Sequence, residues 1–126
     1  MGRVLGAGLN VSNLERSTEF YQAIGMSSVA RYEEDEFDEV MMAFDGPQSS
    51  ATIMLVERPS HQGPYAIGDG FDRILIMVDD IQDVLESVVR CGGSVERHPV
   101  GRPEHGVTIA IVRDLDGYRI ELLQQM

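Results

Sequence analysis

The 126-residue chain has no lysine, no tryptophan and a single cysteine, Cys91. One thiol excludes an internal disulfide and any multi-cysteine zinc site. No apolar run approaches the ~20 residues of a membrane span. Arg3 and Asn10 interrupt the apolar residues at the start, so that stretch does not read as a signal peptide. Positive charge is scarce: ten arginines stand against 21 acidic residues, a net charge of −11. Such a balance repels a phosphate backbone and argues against a nucleic-acid partner. A soluble, cytoplasmic protein with no membrane association is expected. What remains is globular composition, 43% hydrophobic and 25% charged, which excludes a disordered tail. The length suffices to bury a core without a disulfide or metal staple.

The chain is written twice. The stretch Val11-Ser12-Asn13-Leu14-Glu15 running on to Ile24-Gly25 matches Val78-Asp79-Asp80-Ile81-Gln82 running on to Cys91-Gly92, at an offset of 67 residues. Carried onward, that offset pairs Val40 with Val107, Ala43 with Ala110, Ile53 with Ile120 and Leu55 with Leu122. Each half reads as strand, helix and shorter strands. Ser12-x-x-Glu15 has the form of a capping box for the first helix. Ile81, Val84, Leu85 and Val88 form the buried stripe of the second. Asp114-Leu115-Asp116-Gly117 has the residues of a tight turn between two strands. The expected organisation is one domain: a first module over about residues 1–57, a Gly- and Pro-rich linker over about 58–70, and a second module over about 71–126.

Side chains alternate across a strand. Sorting by parity gives one apolar face, including Leu5, Ala7, Leu9, Val11, Met42, Ile53, Leu55, Ile76, Ile109, Ile111, Ile120 and Leu122, which should pack on the helices. The other face is mixed: Gly6, Gly8, Asn10, Met41, Ala43, Thr52, Met54, Val56, Arg73, Leu75, Met77, Thr108, Ala110, Arg119, Glu121 and Leu123. A face of this kind lines a ligand cavity. Met41, Met54 and Met77 supply adaptable apolar walls, or else simply fill core.

This pattern resembles the vicinal-oxygen-chelate superfamily, whose members include glyoxalase I, bleomycin-resistance proteins and extradiol dioxygenases. The resemblance is carried by Leu9-Asn10-Val11-Ser12-Asn13-Leu14-Glu15-Arg16-Ser17, Phe20-Tyr21, Gly25-Met26, Gly92-Gly93 and Asp114-Leu115-Asp116-Gly117-Tyr118-Arg119-Ile120-Glu121-Leu122. It implies an α+β fold of two tandem βαβββ modules forming a curved, cupped mixed sheet with helices on the convex face. It also implies homodimers, with modules pairing within or between chains. In its metal-dependent members four side chains hold a divalent ion, and the corresponding positions here are Gly6, Met54, Arg73 and Glu121. Only Glu121 keeps a ligand type. A transition metal needs about three or more nitrogen, oxygen or thiolate donors, so neither a metal nor any other cofactor is expected.

Arg73 and Glu121 are the candidate catalytic pair. Two roles compete: a structural ion pair in place of the metal, or an anchor for a ligand carboxylate or enolate with Glu121 as base or acceptor. Arg119, Asn10, Met41, Thr52, Met54 and Met77 are candidate substrate contacts. His61, His98 and His105 read as exposed loop residues, although convergence on Glu121 would rebuild a metal site. The acidic run Glu33-Glu34-Asp35-Glu36-Phe37-Asp38-Glu39 reads as a solvated loop. The expected function is metal-independent binding of a small apolar or carboxylate-bearing molecule, as in bleomycin-resistance proteins. The alternatives are a glyoxalase-like lyase or isomerase using Arg73 and Glu121, a non-standard metal site, or an interaction subunit without a ligand.

Overall fold

The computed structural model describes residues 1–45 and 51–126. The chain divides into two compact units, Met1–Tyr65 and Ala66–Met126. The first holds β1 (Gly6–Asn10), α1 (Leu14–Ile24), β2 (Ser27–Glu33), β3 (Asp38–Ala43) and β4 (Thr52–Glu57). The second holds β5 (Ile74–Met77), α2 (Ile81–Arg90), β6 (Ser94–Arg102), a single 3₁₀ turn (Pro103–His105), β7 (Val107–Arg113) and β8 (Arg119–Gln125). Their sheets are ordered β1-β4-β3-β2 and β5-β8-β7-β6. In each, the first and last strands run parallel and the other pairs antiparallel. This is the expected α+β, βαβββ plan, twice over. No helix among the described residues is long and apolar enough to cross a membrane.

The repeat extends to single hydrogen bonds. A helix start leaves amide donors without partners, and in both units the last strand supplies an acceptor. Glu57 Oε1 accepts from the Leu14 N–H at 2.9 Å, and Gln124 Oε1 accepts from the Ile81 N–H at 2.7 Å. Glutamate and glutamine are interchangeable there because the amide needs only an oxygen. The helix caps also correspond: Asn13 Oδ1 accepts from Arg16 N–H, and Asp80 Oδ1 from Gln82 and Asp83 N–H. The expected capping box at Ser12 is therefore one residue early. Asn13 has the extended backbone of a cap and α1 begins at Leu14.

One face of each sheet meets its helix. In the first unit Leu9, Val11, Met42, Ile53 and Leu55 are buried with Phe20 and Tyr21 of α1. In the second, Ile76, Ile120 and Leu122 are buried with the stripe Ile81, Val84, Leu85 and Val88 of α2. Leu5 and Ala7 depart from the expected pattern and are exposed; Leu5 precedes the first ladder pair of β1, whereas Ala7 lies within it.

Strand β7 corrects the sequence reading more deeply. Cross-strand partners lie on the same face of a sheet. Val40 faces Leu55 and Met42 faces Ile53 in the first unit, whereas Ala110 faces Leu122 and Val112 faces Ile120 in the second. The offset of 67 holds for the first and last strands and the helices, but β3 and β7 correspond at an offset of 70. A shift by an odd number of residues inverts the faces. Thr108, Ala110 and Val112 therefore lie on the helix side, and Ile109 and Ile111 lie beside Leu123 and Glu121 on the other.

The acidic run also differs from expectation. It is a hairpin rather than a loop: Glu33 pairs with Asp38 and Tyr32 with Glu39, closed by a Glu34 N–H to Phe37 carbonyl bond of 2.9 Å. β2 is an edge strand of its sheet, and charges on an edge disfavour pairing with other chains.

Candidate functional site

The second unit brings the proposed pair together. Asp114 is buried, and its Oδ1 accepts from the Asp116 and Tyr118 N–H groups at 3.0 and 2.9 Å. Gly117 completes this turn at a φ of 92°, a conformation that glycine adopts without a Cβ penalty. The turn launches β8 and sets its register. Glu121 then stands between Leu75 of β5 and Ile111 of β7, with its side chain 14% exposed. Arg73 enters just before β5 on the same face. Its Nε donates to Glu121 Oε1 at 3.1 Å, and its NH1 donates to the Asp72 carboxylate. Hydrogen bonding to Asp72, then the charge of Glu121, raise the Arg73 guanidinium above its ordinary value. Arg73 is cationic at any physiological pH. With its side chain 34% exposed, the pair is half-buried rather than sealed, so solvent can reach the guanidinium.

Arg119, two residues before Glu121, turns elsewhere. Its Nε and NH2 both reach Glu96 Oε2, at 3.1 and 2.6 Å, while Arg113 NH2 lies 2.7 Å from Glu96 Oε1. Glu96 sits at a register irregularity of β6, which places one carboxylate between two guanidinium groups. A pocket of about 300 Å³ opens beside this cluster, lined by Ile67, Asp69, Phe71, Asp72, Arg113 and Arg119 among others. Met77 lies on the same strand as Leu75 and is 55% exposed.

The remaining candidates belong to the first unit. Met41 and Met54 are direct cross-strand partners. Thr52 is opposite Gly6, and its N–H and hydroxyl both donate to the Leu5 carbonyl, at 2.6 and 3.0 Å. Asn10 Oδ1 accepts from Arg58 Nε at 3.2 Å, and the Arg58 guanidinium lies 5.1 Å from the centre of the Phe37 ring. The three histidines are scattered. His61 stacks on Tyr65 at 3.8 Å, His98 lines a groove with Leu85 and Val89 of α2 on the helix side, and His105 ends the exposed 3₁₀ turn. Among the described residues no group of three or more His, Cys, Asp or Glu is placed to hold a metal.

A model of the Glyoxalase/Bleomycin resistance protein/Dioxygenase superfamily matches residues 3–122. The chain belongs to this superfamily. A lactoylglutathione lyase of Neisseria meningitidis is 36% identical over 127 residues, spanning 98% of this chain and 91% of the relative. A probable lactoylglutathione lyase of Vibrio cholerae is 37% identical over 126 residues, spanning 97% and 90%. The crystal structure of glyoxalase I from Zea mays superposes with a TM-score of 0.84 at 26% identity over 98% of this chain. The chain spans only 44% of that longer protein. A glyoxalase family protein from Bacillus cereus has a TM-score of 0.85 at 18% identity, over 100% of this chain and 95% of its own, and so shares the fold. Within the superfamily these relatives favour the glyoxalase-like alternative over bleomycin-type sequestration.

The four positions that the superfamily resemblance assigns to a divalent ion do not fit one. At Gly6 any side chain is refused: a Cβ would run into the Thr52 carbonyl oxygen, with Thr52 Oγ1 2.6 Å away. Met54 offers a soft thioether, a poor partner for hard or borderline ions. Arg73 is a cation already bonded to the one carboxylate left, Glu121. A single engaged oxygen donor does not make a transition-metal site.

Sequence reasoning missed Asp72, Ile111, Glu96, Arg113 and Arg58 as members of these clusters. Asp72 is Arg73's immediate neighbour in sequence, the only cue available for it. The Glu96 cluster depends on a register irregularity, which period-two sorting does not detect. It has a measurable signature. The Arg119 hydrogen bond, followed by the Arg113 charge, holds the Glu96 carboxyl below its usual range. A carboxylate depressed in the folded state stabilises above its unfolded pKa and loses that contribution as pH falls through the folded value. In melts from about pH 6 down to about pH 3, Glu96→Gln should therefore lose less Tm than the parent chain. An equal loss in both would show that Glu96 carries no linkage.

Proposed function

We propose that the chain is a glyoxalase-like lyase or isomerase that moves a proton with Glu121 and holds the developing oxyanion with Arg73, without a divalent ion. The observation that carries this reading is the Arg73–Glu121 pair. A cation and a carboxylate stand 3.1 Å apart on the sheet face away from the helix, with Glu121 flanked by Leu75 and Ile111. The substrate class is a compound with oxygens on adjacent carbons. In S-lactoylglutathione, the compound in the relatives' name, a hydroxyl-bearing carbon adjoins a thioester carbonyl. The Glu121 carboxylate takes the hydrogen of that carbon as a proton, and the C–H electron pair becomes the enediolate π bond. The carbonyl oxygen takes the negative charge and meets the Arg73 guanidinium. Positioned charge supplies this stabilisation without reorganising at the moment of reaction. Return of the proton completes the exchange.

The test is deuterium uptake at that carbon of S-lactoylglutathione in heavy water, with chelator or with added Zn²⁺, Ni²⁺ or Mg²⁺. Uptake should be catalysed equally in all cases, and metal analysis of the untagged chain should find well under one equivalent. Uptake that disappears with chelator and returns with one ion would sink the metal-free mechanism. A second reading, binding without turnover, is favoured by the Met41–Met54 pairing, an adaptable apolar surface in the first unit. It expects a ligand-induced rise in Tm with no deuterium uptake.

A further inference from the structure

Arg73 has two partners of different kinds. Glu121 comes from within β8, where ladder pairs on both sides fix its position. Asp72 is Arg73's chain neighbour ahead of β5, with its side chain 70% exposed. Such exposed pairs contribute little net stability, because both groups are well solvated when apart. One partner of the guanidinium is thus fixed and the other easily exchanged.

We propose that Asp72 is a built-in stand-in for the ligand, holding the edge of Arg73 that a planar two-oxygen anion takes on binding. This deepens, and rests on, the assignment of Arg73 as the oxyanion anchor. Nε is committed to Glu121, whereas NH1 carries Asp72, and NH1 with the adjacent NH2 forms a fork that matches two coplanar oxygens. Exchanging one carboxylate for another leaves the charge around Arg73 unchanged, which matters in a chain of net charge −11. A neutral carbonyl cannot make the exchange on equal terms, since it replaces a charge-assisted bond with a weaker one. Asp72 therefore answers to charge: a carboxylate or an enediolate displaces it from the fork, whereas a neutral carbonyl compound of the same shape binds without displacing it.

The test is titration of the full chain with glycolate and with its neutral analogue glycolamide, followed by NMR of the backbone amides of β5 and β8. Asp72→Asn should tighten glycolate about threefold or more, the scale of a lost exposed ion pair, and leave glycolamide unchanged. Arg73→Met should abolish glycolate binding. Arg73→Lys, which keeps the charge but not the fork, should weaken it, and unchanged melting of that variant guards against a folding artefact. Unchanged or weaker glycolate affinity in Asp72→Asn overturns the proposal, as does an equal gain for glycolamide. Deuterium uptake at the lactoyl carbon keeps the two assignments apart. Tighter glycolate binding without uptake in any variant sinks the proton-transfer reading and leaves Asp72's role standing. Uptake by the parent chain with no change in glycolate affinity on Asp72→Asn sinks the stand-in alone.

Discussion

Glu121→Gln should lower deuterium uptake at the lactoyl carbon by about 10²- to 10⁴-fold, the range that a positioned general base supplies. Glutamine keeps the shape of the side chain and an oxygen able to accept from Arg73 Nε, so the bond between β8 and the residue ahead of β5 has a replacement. The variant should therefore melt close to the parent chain, because that half-buried pair carries modest stability. Uptake is different: an amide oxygen is far too weak a base to take the proton. Glu121→Ala is the less informative change, since it also leaves the guanidinium without its fixed partner. If Glu121→Gln retains uptake within a few-fold of the parent, Glu121 is not the base and the pair is a structural tie.

Leu55→Ala and Leu122→Ala should each cost about 2–5 kcal/mol, with the second the larger loss. Both leucines are fully buried, and they correspond at the offset of 67. Their cross-strand neighbours differ. Leu55 lies between Leu9 and Val40, whereas Leu122 lies between Ile76 and Ala110. The cost of removing a large side chain depends on how far the surroundings can close around the space it leaves. Alanine has no rotamer with which to follow, so the space beside Ala110 should persist. Urea unfolding of the two variants measures the difference. A larger loss for Leu55→Ala would show that flexible neighbours do not control the collapse.

The fold was legible because burial has a period. The strand, helix and three-strand order, the stripes of α1 and α2, and the turn ahead of Arg119 all follow from spacing and turn chemistry. The same logic failed at β7. The three-residue change of offset lies where Val40/Val107 and Ala43/Ala110 had seemed to match, since alternating apolar residues tolerate a slip without protest. It took the observed register to move Ile111 next to Glu121. At the site, Arg73 and Glu121 could be set on one face by parity alone, and they meet. Their exposed partners could not be so placed. Arg119's attachment to Glu96, Arg58's to Asn10 and Asp72's to Arg73 depend on side-chain reach and local irregularities of the strands. Asn13, not Ser12, caps α1 for a similar reason: a shift of one residue is beneath the resolution of a motif.

The approach of β1 to β4 at Gly6 and Thr52 constrains any attempt to build a metal site here. Strands this close leave no vacancy at position 6 for a side chain of any kind, so a donor atom cannot be added there by one substitution. The strand would first have to slide, surrendering the Thr52 bonds to Leu5, before a histidine or glutamate had anywhere to go. A donor placed at position 6 would thus cost the contact between the two strands.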